Sequence, residues 1–141
     1  MVFSAKLIIV FALMFKGRRK QYLPAVVWAI LIMIVSSIPD ISTPGIRFTF
    51  ADKIAHFIEY FILGLLTANA VRAFARKSWS IFWISALLAA IYGVLDEFHQ
   101  LLVPGRSMEG WDMAADFLGA ILASAIFVRF LQIKARASSR D

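Results

Sequence analysis

Three stretches of this chain place groups able to do chemistry inside apolar sequence: ADKIAHFIEY (51–60), DEFHQ (96–100) and EGWDMAAD (109–116). A histidine among carboxylates can carry a proton near neutral pH. A lysine or an arginine can hold the oxygens of a phosphate or carboxylate. On a helix turning about 100° per residue, Asp52, His56, Glu59 and Tyr60 share one face, with Lys53 at its margin. Gly93, Asp96, Glu97 and Gln100 share another, while His99 points elsewhere. Asp112 and Asp116 stand four apart, and Gly119 and Ala123 continue their face as a stripe of small residues on which a neighbouring helix can come close. Arg106 follows directly on the Pro104-Gly105 turn.

The elements that must position these groups are membrane helices. The chain of 141 residues is 61% hydrophobic and 17% charged, with a mean hydropathy of +0.78. A soluble domain of this size needs more polar surface than that. Four segments reach the roughly 17 to 25 apolar residues of a span: about Tyr22 to Ile38, Ile54 to Phe74, Trp79 to Val103 and Met113 to Leu131. Pro39, Pro44 and Gly45 break the chain after the first, and Pro104-Gly105 after the third. The expected fold is all-α, a transmembrane four-helix bundle. No cysteine is present, so disulfides and thiolate metal sites are excluded.

Residues 2–15, VFSAKLIIVFALMF, are apolar but short and carry Lys6; the cluster Lys16, Arg18, Arg19 and Lys20 follows. This segment reads either as an extra interfacial helix or as the product of a misassigned start, with translation beginning at Met14. Its length resembles a signal-peptide core, but no small-residue cleavage site follows. The expected organisation is an N-terminal apolar and basic segment (1–20), a four-span membrane domain (21–133) and a basic cytoplasmic tail (134–141).

With the first full span leaving the cytoplasm, twelve bases and one acid fall inside, three bases and eight acids outside. The balance of +11 and −5 recovers the net +6. Lysine and arginine bias sets orientation, so both termini are expected in the cytoplasm and the basic excess calls for no nucleic acid. Three helices then bring acids, a histidine, a tyrosine and a glutamine to one depth near the outer face. A charge within a span costs at least about 2.5–3.5 kcal/mol on the insertion scale, so these groups must face one another, water or a ligand. Lys53 and Arg106 are the expected counter-ions. A network of Asp52, Lys53, His56, Glu97, Arg106 and Asp112 that only locks the helices together is the competing reading. Asp40 and Glu109 read as solvated loop charges, Trp79 and Trp111 as interfacial anchors, and Gly64 and Gly119 as packing positions.

The segments DKIAHFIEYFILG (52–64) and DEFHQLLVPGRSMEGWDMAADFLGA (96–120) resemble the VanZ-like family of small integral membrane proteins. The family pattern maps onto Asp52, Lys53, His56, Phe57, Tyr60, Glu97, Gln100, Pro104, Gly105, Arg106, Asp112, Asp116 and Gly119. Position 116 is Asp where the family often has Asn, which permits an acid–acid contact with Asp112. The resemblance covers about residues 36 to 123 and leaves the N-terminal segment outside. The family takes its name from a protein associated with resistance to the glycopeptide teicoplanin. The resemblance therefore implies cell-envelope lipids or cell-wall precursors, and a bacterial cytoplasmic membrane.

Two functional readings follow. In the first, an outward site binds the head group of an envelope lipid or lipid-linked cell-wall molecule. Asp52, Lys53, Tyr60, Gln100, Arg106 and Asp116 are its ligand-binding residues, with Lys53 and Arg106 on phosphate. In the second, an intramembrane enzyme modifies such a molecule by general acid/base chemistry. His56 or Glu97 is then the base, with the other or Asp112 as its orienter. No cofactor and no metal are expected: the chain has no HExxH and no Cys, and His56 with carboxylates of other helices is the one conceivable metal set. A channel fits poorly, because the inner halves of all four spans are apolar.

Overall fold

A computed structural model describes residues 21–39 and 49–139. Among them are four α-helices and no strand: α1 (Leu23–Ser36), α2 (Thr49–Val71), α3 (Ser78–Gln100) and α4 (Gly110–Ser138). The N-terminal segment 1–20, Asp40, Pro44, Gly45, Arg47 and the last two residues, Arg140 and Asp141, lie outside the described residues.

Three helices, α2, α3 and α4, are long and apolar enough to cross a membrane. At 1.5 Å per residue, α2 and α3 reach about 34 Å and α4 about 43 Å, against a hydrocarbon core of about 30 Å. The first span is shorter than the sequence pattern indicates. Pro24 sits in the opening turn of α1, a position that suits its fixed φ and missing N–H. The Ser37 N–H and hydroxyl both donate to the Met33 carbonyl, at 3.1 and 2.6 Å; the chain then tightens, the Ile38 N–H donating to the Val35 carbonyl at 3.0 Å, and Pro39 follows. Fourteen residues give α1 about 21 Å, so its apolar run is longer than its helix. At the other end of the chain α4 continues to Ser138, making residues 134–138 of the expected basic tail helical.

The helices run up and down. Ser36 at the end of α1 meets Asp96 near the end of α3, while Lys53 and His56 near the start of α2 meet Asp112 and Asp116 near the start of α4. The most extensive packing is between α2 and α4, and α3 packs on both; α1 lies against α2 and α3. Small residues make the α2–α4 approach close. A Cβ on Gly119 would run into the Phe57 carbonyl oxygen and stand 2.9 Å from the Phe61 nitrogen. A Cβ on Gly64 would stand 2.8 Å from Ala123 Cβ and 3.0 Å from the Ala120 oxygen. Without a hydrophobic drive between helices in lipid, such contact is what holds them.

Apolar burial divides into two clusters. Ile32, Tyr60, Leu63, Ala89 and Ala120 pack below the polar end, and Ala68, Val71 and Ile81 at the opposite end, where Phe127, Val128 and Leu131 cover them. Large apolar side chains on the outside, among them Ile34, Ile58, Leu87, Leu95, Leu118 and Ile126, are exposed, as lipid-facing residues must be. Trp79 and Trp111, both exposed, open α3 and α4 at opposite ends of the bundle.

Candidate functional site

The polar end of the bundle has two layers. In the upper layer Lys53 reaches three carboxylates: Asp112 at 2.5 Å, Glu109 at 2.7 Å and Asp52 at 3.3 Å. The contact with Asp112 is an ion pair. In the lower layer His56 Nδ1 pairs with Asp116 Oδ1 at 3.0 Å, and Glu97 Oε1 stands 4.0 Å from the same nitrogen. The helical spacing explains both layers. Lys53 and His56 are three apart on α2, Asp112 and Asp116 four apart on α4, so two turns of parallel helices face each other residue for residue.

Helix α3 closes the third side. Gln100 donates to Asp96 Oδ2 at 3.2 Å and to Glu97 Oε1 at 3.4 Å. Glu97 Oε2 accepts the Glu109 N–H at 2.9 Å, which ties the α3–α4 loop to the site. Gly93 makes the room: a Cβ there would stand 3.0 Å from Asp116 Oδ2 and 3.2 Å from Tyr60 Cε1. Helix α1 closes the fourth side through Ser36, whose hydroxyl donates to Asp96 Oδ2 at 2.9 Å. Just below, Trp28 Nε1 donates to the Glu59 carbonyl and the Tyr92 hydroxyl to the Ala29 carbonyl.

Asp96, Glu97, Gln100, Asp112, Asp116, His56 and Tyr60 are all buried. The Tyr60 hydroxyl, Asp96 Oδ1 and Asp116 Oδ2 are enclosed by protein and have no hydrogen-bond partner among the described residues. Two sets of donor atoms come within 4.8 Å of one another and share the imidazole: His56, Glu97 and Asp116, all buried, and Asp52, His56 and Asp112, of which Asp52 is exposed. The arrangement can hold a cation, orient an imidazole as a base, or present Lys53 to an anion.

The structure brings together eight of the nine residues singled out from sequence; the ninth, Arg106, stands at the rim. It forms no ion pair among the described residues. Its Nε donates to the Ile38 carbonyl at 3.3 Å, so it spans from the α3–α4 loop to the end of α1 rather than serving as counter-ion to the buried acids. The imidazole's nearest carboxylate is Asp116, closer than Glu97, while Asp112 belongs to Lys53. His99 stands apart from the cluster and pairs with the Ser37 hydroxyl at 2.9 Å. The Glu59 carboxyl is half-buried and makes no hydrogen bond among the described residues. Glu109 is no free loop charge: its carboxylate holds Lys53 and its N–H holds Glu97. Asp96 and Ser36 also join the network, beyond the nine candidates. Asp96 shares the helical face of Glu97 and Gln100, and Ser36 that of Ile32, signals the sequence carries; Glu109 lies outside the helices and has no periodic signal.

A family model described as VanZ/LLP1 matches residues 2–132. The match takes in the N-terminal segment that the motif resemblance leaves outside. No curated protein and no solved structure matches the chain. With 131 of 141 residues covered and the motif residues gathered at one end of an apolar helical bundle, this membrane protein belongs to the VanZ/LLP1 family.

Proposed function

We propose that this protein sits in a bacterial cytoplasmic membrane with both termini in the cytoplasm, and that its outward polar end binds the anionic head group of an envelope lipid or lipid-linked cell-wall molecule. The observation that carries this is Arg106. The half-buried guanidinium is held at the rim through Nε alone, and its two terminal nitrogens have no partner among the described residues. A planar fork fixed at one nitrogen is arranged for phosphate oxygens, which accept two parallel hydrogen bonds. Lys53, already held by three carboxylates, then serves as the floor of the site rather than as a free anchor. Glycopeptide resistance of the teicoplanin kind fits such binding, because it would act on the same envelope molecules.

The test is lipid retention by the full chain in detergent, read by native mass spectrometry with phosphatidylglycerol, a polyprenyl phosphate and phosphatidylcholine as probes. Wild type retains the anionic probes over phosphatidylcholine, Arg106→Ala loses them at least about tenfold, and Arg106→Lys falls between. Equal retention by wild type and Arg106→Ala refutes the reading.

One geometric fact favours a catalytic role for the same site. The His56–Asp116 pair is the arrangement of a general base with its ring oriented by a carboxylate. Incubation of purified protein with extracted envelope lipids, followed by mass analysis, separates the readings. A product lost in His56→Ala and Glu97→Ala marks an enzyme; retention without any mass change marks a binding protein.

A further inference from the structure

We infer that His56, Glu97 and Asp116 form a binding site for one divalent transition-metal cation of the Zn²⁺ or Mn²⁺ class. The inference is independent of whether a lipid binds above it. Each of the three helices that can cross the membrane supplies one ligand: His56 from α2, Glu97 from α3 and Asp116 from α4. All three side chains are buried, and their donor atoms lie within 4.8 Å of one another.

The spacing suits a single ion. Donor atoms around a tetrahedral ion at bond lengths of about 2.0–2.2 Å stand roughly 3.3–3.6 Å apart. The His56 nitrogen lies 3.0 Å from Asp116 Oδ1 and 4.0 Å from Glu97 Oε1, which brackets that separation. One nitrogen and two carboxylate oxygens form a donor set that zinc and manganese accept, and that calcium, which takes oxygen alone, does not favour.

Two further observations point to a cation. The first is charge. Lys53 is paired with Asp52, Glu109 and Asp112, and Arg106 stands at the rim on the Ile38 carbonyl, with no ion pair to the buried acids among the described residues. Among the described residues this leaves the His56 imidazole, a cation only when protonated, as the one basic group paired with the buried carboxylates Asp96, Glu97 and Asp116. The second is an oxygen with nowhere to go. Asp116 Oδ2 is wholly enclosed and has no partner among the described residues, and the neighbouring Tyr60 hydroxyl is in the same state. A hydrogen bond between imidazole and carboxylate alone uses one Asp116 oxygen; a metal ion can draw on the second. The ligands are also held from behind, as metal ligands usually are: Glu97 Oε2 accepts the Glu109 N–H and Gln100 donates to Glu97 Oε1.

The experiment is metal binding by the full chain, purified in detergent on a streptavidin-binding tag and stripped with chelator. Zn²⁺ and Mn²⁺ are titrated by calorimetry, and bound metal is counted by mass spectrometry. The variants are Asp116→Asn, Glu97→Gln and, as control, Asp52→Asn. Asp116→Asn adopts the residue common in the family pattern, which favours folding, and circular dichroism with gel filtration selects folded samples. One equivalent of either ion in wild type, weakened at least about tenfold in both Asp116→Asn and Glu97→Gln and unchanged in Asp52→Asn, establishes the site. Absence of stoichiometric binding by the wild type overturns it. So does binding that survives Asp116→Asn and Glu97→Gln, or that is lost equally in Asp52→Asn, which would move the ion to the Asp52, His56 and Asp112 set.

Discussion

Replacing Gly119 by alanine tests whether the α2–α4 contact is what holds the site in register. The new Cβ would meet the Phe57 carbonyl oxygen well inside contact distance, with the Phe61 nitrogen at 2.9 Å and the Phe57 carbonyl carbon at 3.3 Å. All three are α2 backbone, so no side chain can swing away. Restoring ordinary contact with the Phe61 nitrogen alone, near 3.4 Å, moves α4 off α2 by about 0.5 Å, and a gap of that size forfeits about a quarter of the dispersion energy of the atoms it separates. Overpacking costs about 1–3 kcal/mol in well-packed interiors, and the rigid obstacle puts Gly119→Ala at the upper end, about 3 kcal/mol or roughly 150-fold in the unfolding equilibrium. Gly64→Ala meets a side-chain Cβ at 2.8 Å and one carbonyl at 3.0 Å, and should cost about 2 kcal/mol. Gly110 has nothing within 4 Å of a new Cβ, so Gly110→Ala should be neutral or stabilise by up to about 1 kcal/mol through helix propensity. Unfolding in mixed micelles with rising dodecyl sulfate fraction reads the three variants on one scale. A Gly119→Ala protein within about 0.5 kcal/mol of wild type, or no worse than Gly110→Ala, refutes the packing argument.

Lys53→Met removes the cation that Asp112, Glu109 and Asp52 share among the described residues and should destabilise by about 3 kcal/mol, since breaking a buried pair strands its partner. Adding Asp112→Asn should recover part of that loss in the same unfolding assay, the sign of a coupled pair; additive losses count against the ion pair. The proposed orientation is checked with single cysteines in this cysteine-free chain: a membrane-impermeant maleimide added to intact cells should label Ser107→Cys and spare Ser139→Cys, and the reverse pattern inverts the topology.

Much of the bundle is legible in the sequence, for a physical reason. Long apolar runs must be helices in lipid, because every backbone polar group needs an internal partner, and a helix fixes which residues share a face. That is why helical geometry alone puts Lys53, His56 and Tyr60, or Glu97 and Gln100, on common faces. What periodicity leaves open is how far each helix is rotated and shifted against its neighbours. The pairing of His56 with Asp116 rather than Glu97 or Asp112 depends on that shift, which the Gly119 contact sets. Loop residues carry no period at all, so Glu109 reads as a solvated charge although its carboxylate and its N–H both serve the cluster. The aim of Arg106 follows from the turn at Gly105, where φ is 79°, and from the early end of α1, neither of which a hydropathy pattern encodes. The length of α1 is hidden for a similar cause: Ile38 extends the apolar run, but its N–H has already tightened onto the Val35 carbonyl, ahead of Pro39, and the helix has ended at Ser36.

The cluster has a gradient that a purely structural lock does not require. Exposure of the side chains falls from 47% at Asp52, through 27% at Glu109 and 17% at Lys53, to 4% at Asp112 and none at Asp116. Helices that only needed joining could use apolar contacts, which often match or exceed a buried ion pair in stability. This bundle already has such contacts, at Gly64, Gly119 and Ala123. The polar groups instead form a continuous descent from the more exposed end to an imidazole held between three helices, with Arg106 at its rim and, at its base, oxygens that have no partner among the described residues. Close packing of small residues fixes the walls, so the imidazole and its carboxylates are positioned before anything binds. The proposed anion site at the rim and the proposed cation site at the base can be removed one at a time, by Arg106→Ala and by Asp116→Asn.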